Sequence, residues 1–230
     1  MSVKSVLCPI AVGTMLLLPG CASTTVFQAT FNSDSIGSPP SPNQDVGTVG
    51  LDEGAGTVRV GPPPSNATTN WVQISHPTAQ SNQTAMQGKF AQFRGDGTYG
   101  LLAVLFIPTG CGVVTLQFEP FQNSPTVYAN FMHLDFMPNN TVRVDDGGTV
   151  FGTFPRDRFF TVSVTLNIAS SSSKAELRLF GNGASGQLDV NVDPVLQGAA
   201  RRFGAVRFWM GSQHTGRFEV DQIIVTHKKP

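Results

Sequence analysis

From Arg158 to Ile168 apolar and polar side chains alternate without interruption. Phe160, Val162, Val164, Leu166 and Ile168 fall on one parity, and Thr161, Ser163, Thr165 and Asn167 on the other. A period of two puts each set on its own side of an extended chain, so the segment must be a β-strand with one face in a core. The same rhythm returns in Val113 to Glu119, where Val114, Leu116 and Phe118 oppose Thr115, Gln117 and Glu119. It returns again in Lys174 to Phe180, with Ala175, Leu177 and Leu179 inward. Tyr99 to Ile107 is apolar on both parities, which predicts a central strand paired as a hairpin with Val113 to Glu119. Thr126 to Phe136 switches parity after Phe131, the sign of a bulge or a change of sheet.

Shorter strands are predicted at Val26 to Phe31, Asp45 to Gly50, Thr57 to Gly61, Trp71 to Ser75, Ala85 to Phe93, Thr141 to Val144, Gln187 to Val192, Phe203 to Met210 and Arg217 to Thr226. Gly, Pro, Asn and Asp punctuate them, as in Pro62-Pro63-Pro64 and Asp145-Asp146-Gly147-Gly148. Only Asp193 to Arg202 leaves room for a short helical turn. Some twelve to fourteen strands with almost no helix predict an all-β protein, an antiparallel two-sheet sandwich or jelly roll.

Residues 1 to 20 carry Lys4, an apolar run from Val6 to Leu18 and small residues at the end, the layout of a secretory signal. The run is too short, and too broken by Pro9 and Gly13, to span a bilayer as a helix of about 20 residues. Leu18-Pro19-Gly20-Cys21 then resembles the lipobox of bacterial lipoproteins, with Pro19 where Ala, Ser or Val is commoner. That resemblance implies acylation of Cys21 and a membrane anchor. With Ala22 following the cysteine it implies a cell-envelope address, an outer-membrane lipoprotein. The alternative is an ordinary cleaved signal with a cysteine nearby.

Residues 21 to 25 form a short tether, and residues 26 to 230 are expected to be one domain, since no linker or composition break divides them. Fifteen basic and fifteen acidic residues leave no net charge, which argues against a nucleic-acid surface. Of the three cysteines, Cys8 leaves with the signal and Cys21 is spent on lipid. Cys111 stands alone in the turn Pro108-Thr109-Gly110-Cys111-Gly112, so burial and not a disulfide must hold the fold.

Three stretches carry a further resemblance: Thr30-Phe31-Asn32-Ser33-Asp34 with Gly37 and Pro39, the pair Phe159 to Ile168 and Ala175 to Phe180, and Gly216 to Val225. Together they resemble the concanavalin A-like, laminin G-type jelly roll. The resemblance implies a first strand lying beside the last. It also implies a structural calcium between Asp34 and Asp221, with Asn32 where such families often carry Glu. Two aspartates are few donors for a hard cation, and two solvated side chains are the competing reading.

Catalytic patterns of that superfamily are missing. The chain has four glutamates, Glu53, Glu119, Glu176 and Glu219, and none begins a Glu-x-Asp-x-x-Glu strand. Gln73-Ile74-Ser75-His76 approaches a lyase-like Gln-x-His and fails in spacing, and His76, His133, His214 and His227 lack metal-ligand spacing. What remains is a polar-aromatic face. Gln117, Glu119, Tyr128, Asn130, Arg207 and Trp209 all lie opposite the apolar parity of their strands. A flat aromatic beside amides, a carboxylate and a guanidinium suits sugar. Trp209 packed beneath a loop is the alternative. The expectation is a binding domain for glycan, with a polysaccharide-active enzyme of the same fold or a protein-contacting lipoprotein as alternatives.

Overall fold

The computed structural model describes residues 23–64, 69–79, 82–120, 132–145, 148–169, 173–192 and 203–230. Fifteen strands run along the chain. They are β1 (Thr24–Ala29), β2 (Thr48–Asp52), β3 (Thr57–Gly61), β4 (Trp71–His76), β5 (Thr84–Arg94), β6 (Gly97–Phe106), β7 (Val114–Pro120), β8 (Met132–Phe136), β9 (Thr141–Val144), β10 (Val150–Thr153), β11 (Phe159–Ile168), β12 (Ser173–Phe180), β13 (Ser185–Val192), β14 (Phe203–Met210) and β15 (Gly216–Lys228). Strand β10 has no counterpart among the sequence expectations, and Asp193 to Arg202 lies outside the described residues.

Every described pairing between strands is antiparallel, and the hydrogen bonds join the strands in the order β2-β5-β14-β7-β8-β9-β10-β13-β12-β11-β6-β15-β4-β3. Strand β1 adds to β15, with Thr24 opposite His227 and Ala29 opposite Ile223. Its other edge bridges the approach to β2, where Gln28 N–H donates to Val46 O at 2.9 Å and Val46 N–H to Gln28 O at 3.2 Å. The sheet thus comes back almost onto its own beginning and is nearly closed, barrel-like. Hydrogen bonding does not part it into two separate sheets. Strands β9, β10 and β13 carry the ladder from one flank to the other, while β1 lies between β15 and Val46.

Side-chain parity fills the interior as the alternation requires. Phe160, Val162, Val164, Leu166 and Ile168 on β11 are all buried, as are Val114, Leu116 and Phe118 on β7 and Ala175, Leu177 and Leu179 on β12. Aromatic rings meet across the interior: Phe203 of β14 packs on Tyr99 of β6 at 5.0 Å, and Phe136 of β8 on Phe160 of β11 at 5.7 Å. Each such pair adds to the free energy of burial itself. At Gly88 on β5 the Phe27 ring lies so close that a methyl group would stand 2.6 Å from it, which requires glycine there.

Strand β6 is central, as its two apolar parities predict, but its neighbours are β11 and β15. The hairpin with Val113 to Glu119 does not form. Both edges of β6 are already occupied, and β7 pairs instead with β14 and β8. The connection between them is pinned by Arg156, whose Nη1 donates to Pro108 O at 3.0 Å and Cys111 O at 3.1 Å. Its Nη2 donates to Met137 O at 2.8 Å and its Nε to Asn140 Oδ1 at 3.0 Å, with the guanidinium 5.0 Å above the Phe154 ring. Cys111 is buried, with its thiol pushed up to about 11 mainly by burial, which leaves it a packing residue and no nucleophile.

Removing the clamp leaves main-chain carbonyls without their donor, at roughly 1–3 kcal/mol for each that water cannot reach. Arg156→Ala should therefore lower the melting temperature by about 5–10 °C in thermal denaturation, at the scale of about 2–4 °C per kcal/mol for a domain of this size. Arg156→Lys should recover only part, because a point charge cannot fork to three carbonyls. An unchanged melting temperature would show the clamp to be incidental.

Candidate functional site

A run of strands from β2 to β9 presents its non-core parity as the floor of a groove of about 1020 Å³. The register sets the floor in rows across the strands. One row runs Asp52, Ala85, Trp209, Thr115, Asp135, Arg143. The next runs Gly50, Gln87, Arg207, Gln117, His133. A third holds Lys89, Ala205 and Glu119. Sequence alternation on β7 and β14 thus brings Gln117, Glu119, Arg207 and Trp209 onto one face, as expected. Tyr128 and Asn130 lie outside the described residues, and so does Cys21.

Trp209 lines the groove, with its indole Nε1 buried and unpartnered. Gly211 lies beneath its edge: a methyl group there would stand 3.1 Å from Trp209 Cζ3. Trp209 thus rests on the loop after β14 and still contributes to the groove wall. Arg207 is tied between two carboxylates, Nη2 to Asp52 Oδ2 at 3.2 Å and Nη1 to Glu119 Oε1 at 3.6 Å. Gln87 donates to the other oxygen of Glu119. Arg207 and Glu119 therefore act first on each other and brace the floor under Trp209 and Gln117.

The far end of the groove was not assigned from sequence. Met132, Leu134 and Phe136 turn inward, which sends His133 and Asp135 into the groove beside Arg143 and His214. The Thr115 hydroxyl donates to Asp135 Oδ1 at 2.7 Å, and His133 Nε2 stands 3.5 Å from Asp135 Oδ2. His133 Nδ1 stands 3.4 Å from Asp145 Oδ1. Burial raises the Asp135 carboxyl, but the hydrogen bonds from His133 and Thr115 outweigh it and hold the group below its ordinary range. A carboxyl so held is a poor general acid. The other groove carboxylate, Asp52, is four strand spacings away, roughly 19 Å, well beyond the ~5–9.5 Å that paired glycosidase carboxyls require.

The two aspartates expected to hold calcium lie elsewhere, on either side of Thr69-Asn70. Asn70 Nδ2 donates to Asp34 O at 3.1 Å, and the Thr69 hydroxyl to Asp221 Oδ2 at 2.6 Å. Asp34 Oδ2 already accepts from the Ser41 amide at 3.1 Å. Asp221 sits where β15 changes partner. Residues Gly216 to Val220 pair with β4 and Ile223 to His227 with β1, and a bulge with Gln222 at φ 51° lies between. Its Oδ1 is buried without a partner, and burial pushes the carboxyl up to about 6. Glu219, two residues before it, is also raised by burial and has one unpartnered oxygen. Asp221 Oδ1 thus has no partner, whereas Asp34 Oδ2 is engaged. Among the described residues no group of three or more His, Cys, Asp or Glu is placed to hold a metal.

No protein-family model matches the chain, and no curated protein matches it in sequence. Solved structures do. The chain is similar to a protein of unknown function from Shewanella oneidensis MR-1, with a TM-score of 0.59 at 10% identity over 99% of this chain and 97% of that one. It is similar to the lectin UEA-II complexed with galactose, with a TM-score of 0.54 at 9% identity over 91% of this chain and 99% of that one. It is also similar to the catalytic domain of a glycoside hydrolase family 131 protein from Coprinopsis cinerea, at 0.52, 13% identity, 87% and 93%. At such identities the likeness concerns the backbone alone, and it shows an antiparallel, lectin-like jelly-roll fold.

Proposed function

We propose that the groove between β2 and β9 binds carbohydrate, and that the domain works by binding and not by catalysis. The observation that carries this reading is Trp209: a large aromatic on a groove wall, its N–H unsatisfied, with Gln117 and Thr115 across the strand from it. Sugars present apolar faces to aromatic rings and hydroxyls to amides. On this reading the flank β2-β5-β14-β7-β8-β9 and the flank β11-β6-β15-β4-β3 act as the two layers of a jelly-roll sandwich, joined at their margins. A catalytic reading has less support, since the two carboxylates that line the groove among the described residues, Asp52 and Asp135, stand four strand spacings apart. Applied to a glycan array, the full chain should bind, and Trp209→Ala should weaken binding by at least about tenfold, the loss expected of ~1.4 kcal/mol of stacking. Silence of the wild-type chain at millimolar sugar would sink the proposal.

The same reading places the domain at a bacterial cell envelope, anchored to the outer membrane by acylated Cys21 after removal of residues 1–20. It draws on the signal-like layout of residues 1–20, on Leu18-Pro19-Gly20-Cys21 and on Ala22. Two or more acyl chains hold a protein on a bilayer where one does not. In cell fractionation the wild type should sediment with membranes and Cys21→Ser should become soluble. A variant still in the membrane fraction would refute the anchor.

Calcium belongs to the proposal as a structural ion. Asp221 would supply Oδ1 and Asp34 a second carboxylate, with water and main-chain oxygens making up the roughly six that a hard cation takes. Without the ion, the raised carboxyl gives the pH dependence a definite sign. The folded state holds its proton up to about pH 6, whereas the unfolded chain releases it near the ordinary aspartate value of 3.8. Stability from this group therefore declines as pH rises through that window, in the same direction as the raised Glu219. Asp221→Asn should flatten the decline in melting temperature between pH 4 and 6. Calcium at pH 7 should raise the melting temperature of the wild type but not of Asp221→Asn. No calcium effect on the wild type would remove the ion.

A further inference from the structure

Two arginines reach the groove floor, and they differ in a way that bears on what the groove holds. Arg207 has a carboxylate at each terminal nitrogen, Asp52 at 3.2 Å and Glu119 at 3.6 Å. Its Nε lacks an acceptor, but its charge is matched. Arg143, on β9 at the opposite end, lines the groove and, among the described residues, makes no ion pair and no hydrogen bond; its Nε is buried with nothing to accept from it.

Asp135 faces Arg143 across the strand pair but is committed elsewhere. Its Oδ1 accepts from Thr115 and its Oδ2 lies against His133, whose other nitrogen meets Asp145. An unmatched guanidinium is costly to desolvate, and a groove keeps one where an acceptor comes from outside. Trp209 Nε1, like Arg207 Nε, also lacks an acceptor. The register puts Trp209 and Arg143 three strand spacings apart, roughly 14 Å, on the same row.

We infer that the groove takes an acidic oligosaccharide, one sugar ring against Trp209 and a carboxylate or sulfate group farther along the chain on Arg143. This rests on the carbohydrate reading of the groove and narrows it. A guanidinium can fork onto two oxygens of either anion, so the shared chemistry is a multi-oxygen anion on a saccharide. Arg207 does not serve as the anion site, because a ligand carboxylate there would displace or face Asp52 and Glu119.

Calorimetric titration of the full chain tests this with three probes: a galacturonate trisaccharide, the same trisaccharide with its carboxyls reduced to neutral galactose, and a sulfated galactose trisaccharide. At least one charged probe should bind about tenfold or more tighter than the neutral one, and which one identifies the anion. Arg143→Gln should erase that preference and leave neutral binding in place, whereas Trp209→Ala should weaken all three. The wild-type preference should also shrink as salt rises, a measurement that stands if Arg143→Gln fails to fold. Equal affinity for charged and neutral probes, or a preference that survives Arg143→Gln, overturns the acidic ligand while keeping the carbohydrate reading. Binding of none of the three overturns both.

Discussion

Strand β15 is where the hydrogen bonding of the molecule converges. One edge is taken along most of its length by β6, and the other is shared, first by β4 and then by β1. A single extended strand could not serve both partners in register and keep its apolar side inward. The bulge at Gln222 resolves this: Phe218 and Val220 face the core before it, and Ile223 and Val225 after it. From that junction β1 reaches across to Val46 and the sheet closes on itself. The core then needs no disulfide, since its apolar residues are enclosed on nearly all sides.

Closure has a local cost and a local use. The cost falls on Asp221 and Glu219, which the junction buries with oxygens left unpartnered. The use lies on the other flank, where the outer parity of β5, β14, β7, β8 and β9 forms the floor of the groove. Polar residues that would be solvated on a flat sheet are there half or wholly buried. Gln117 and Glu119 are exposed by only 8% and 7%. The groove chemistry follows from which residues occupy the outer parity.

Period-two alternation made much of this legible. The inward sets on β7, β11 and β12 and the outward placement of Arg207 and Trp209 could be read from single strands, because face is a local property of an extended chain. Strand partners were not local. The expected hairpin between β6 and β7 failed because two distant strands already occupied both edges of β6. His133 and Asp135 were visible as the polar members of Met132-His133-Leu134-Asp135-Phe136, yet nothing in that stretch said that β9 would set Arg143 beside them. Asp34 and Asp221 lie on either side of Thr69-Asn70, and the Ser41 amide on Asp34 depends on loop geometry that carries no sequence period.

The clasp formed by β1 also sets an order of assembly. Its hydrogen-bonding partner on one side is β15, the last of the described strands, so β1 reaches its full register only once β15 is in place. Until then Val26 and Phe27, buried in the finished fold, have no ladder to hold them, and Gly88 offers Phe27 only a surface to rest on. The ladder between β1 and β15 thus joins segments from opposite ends of the described chain, a long-range pairing of the kind that forms slowly.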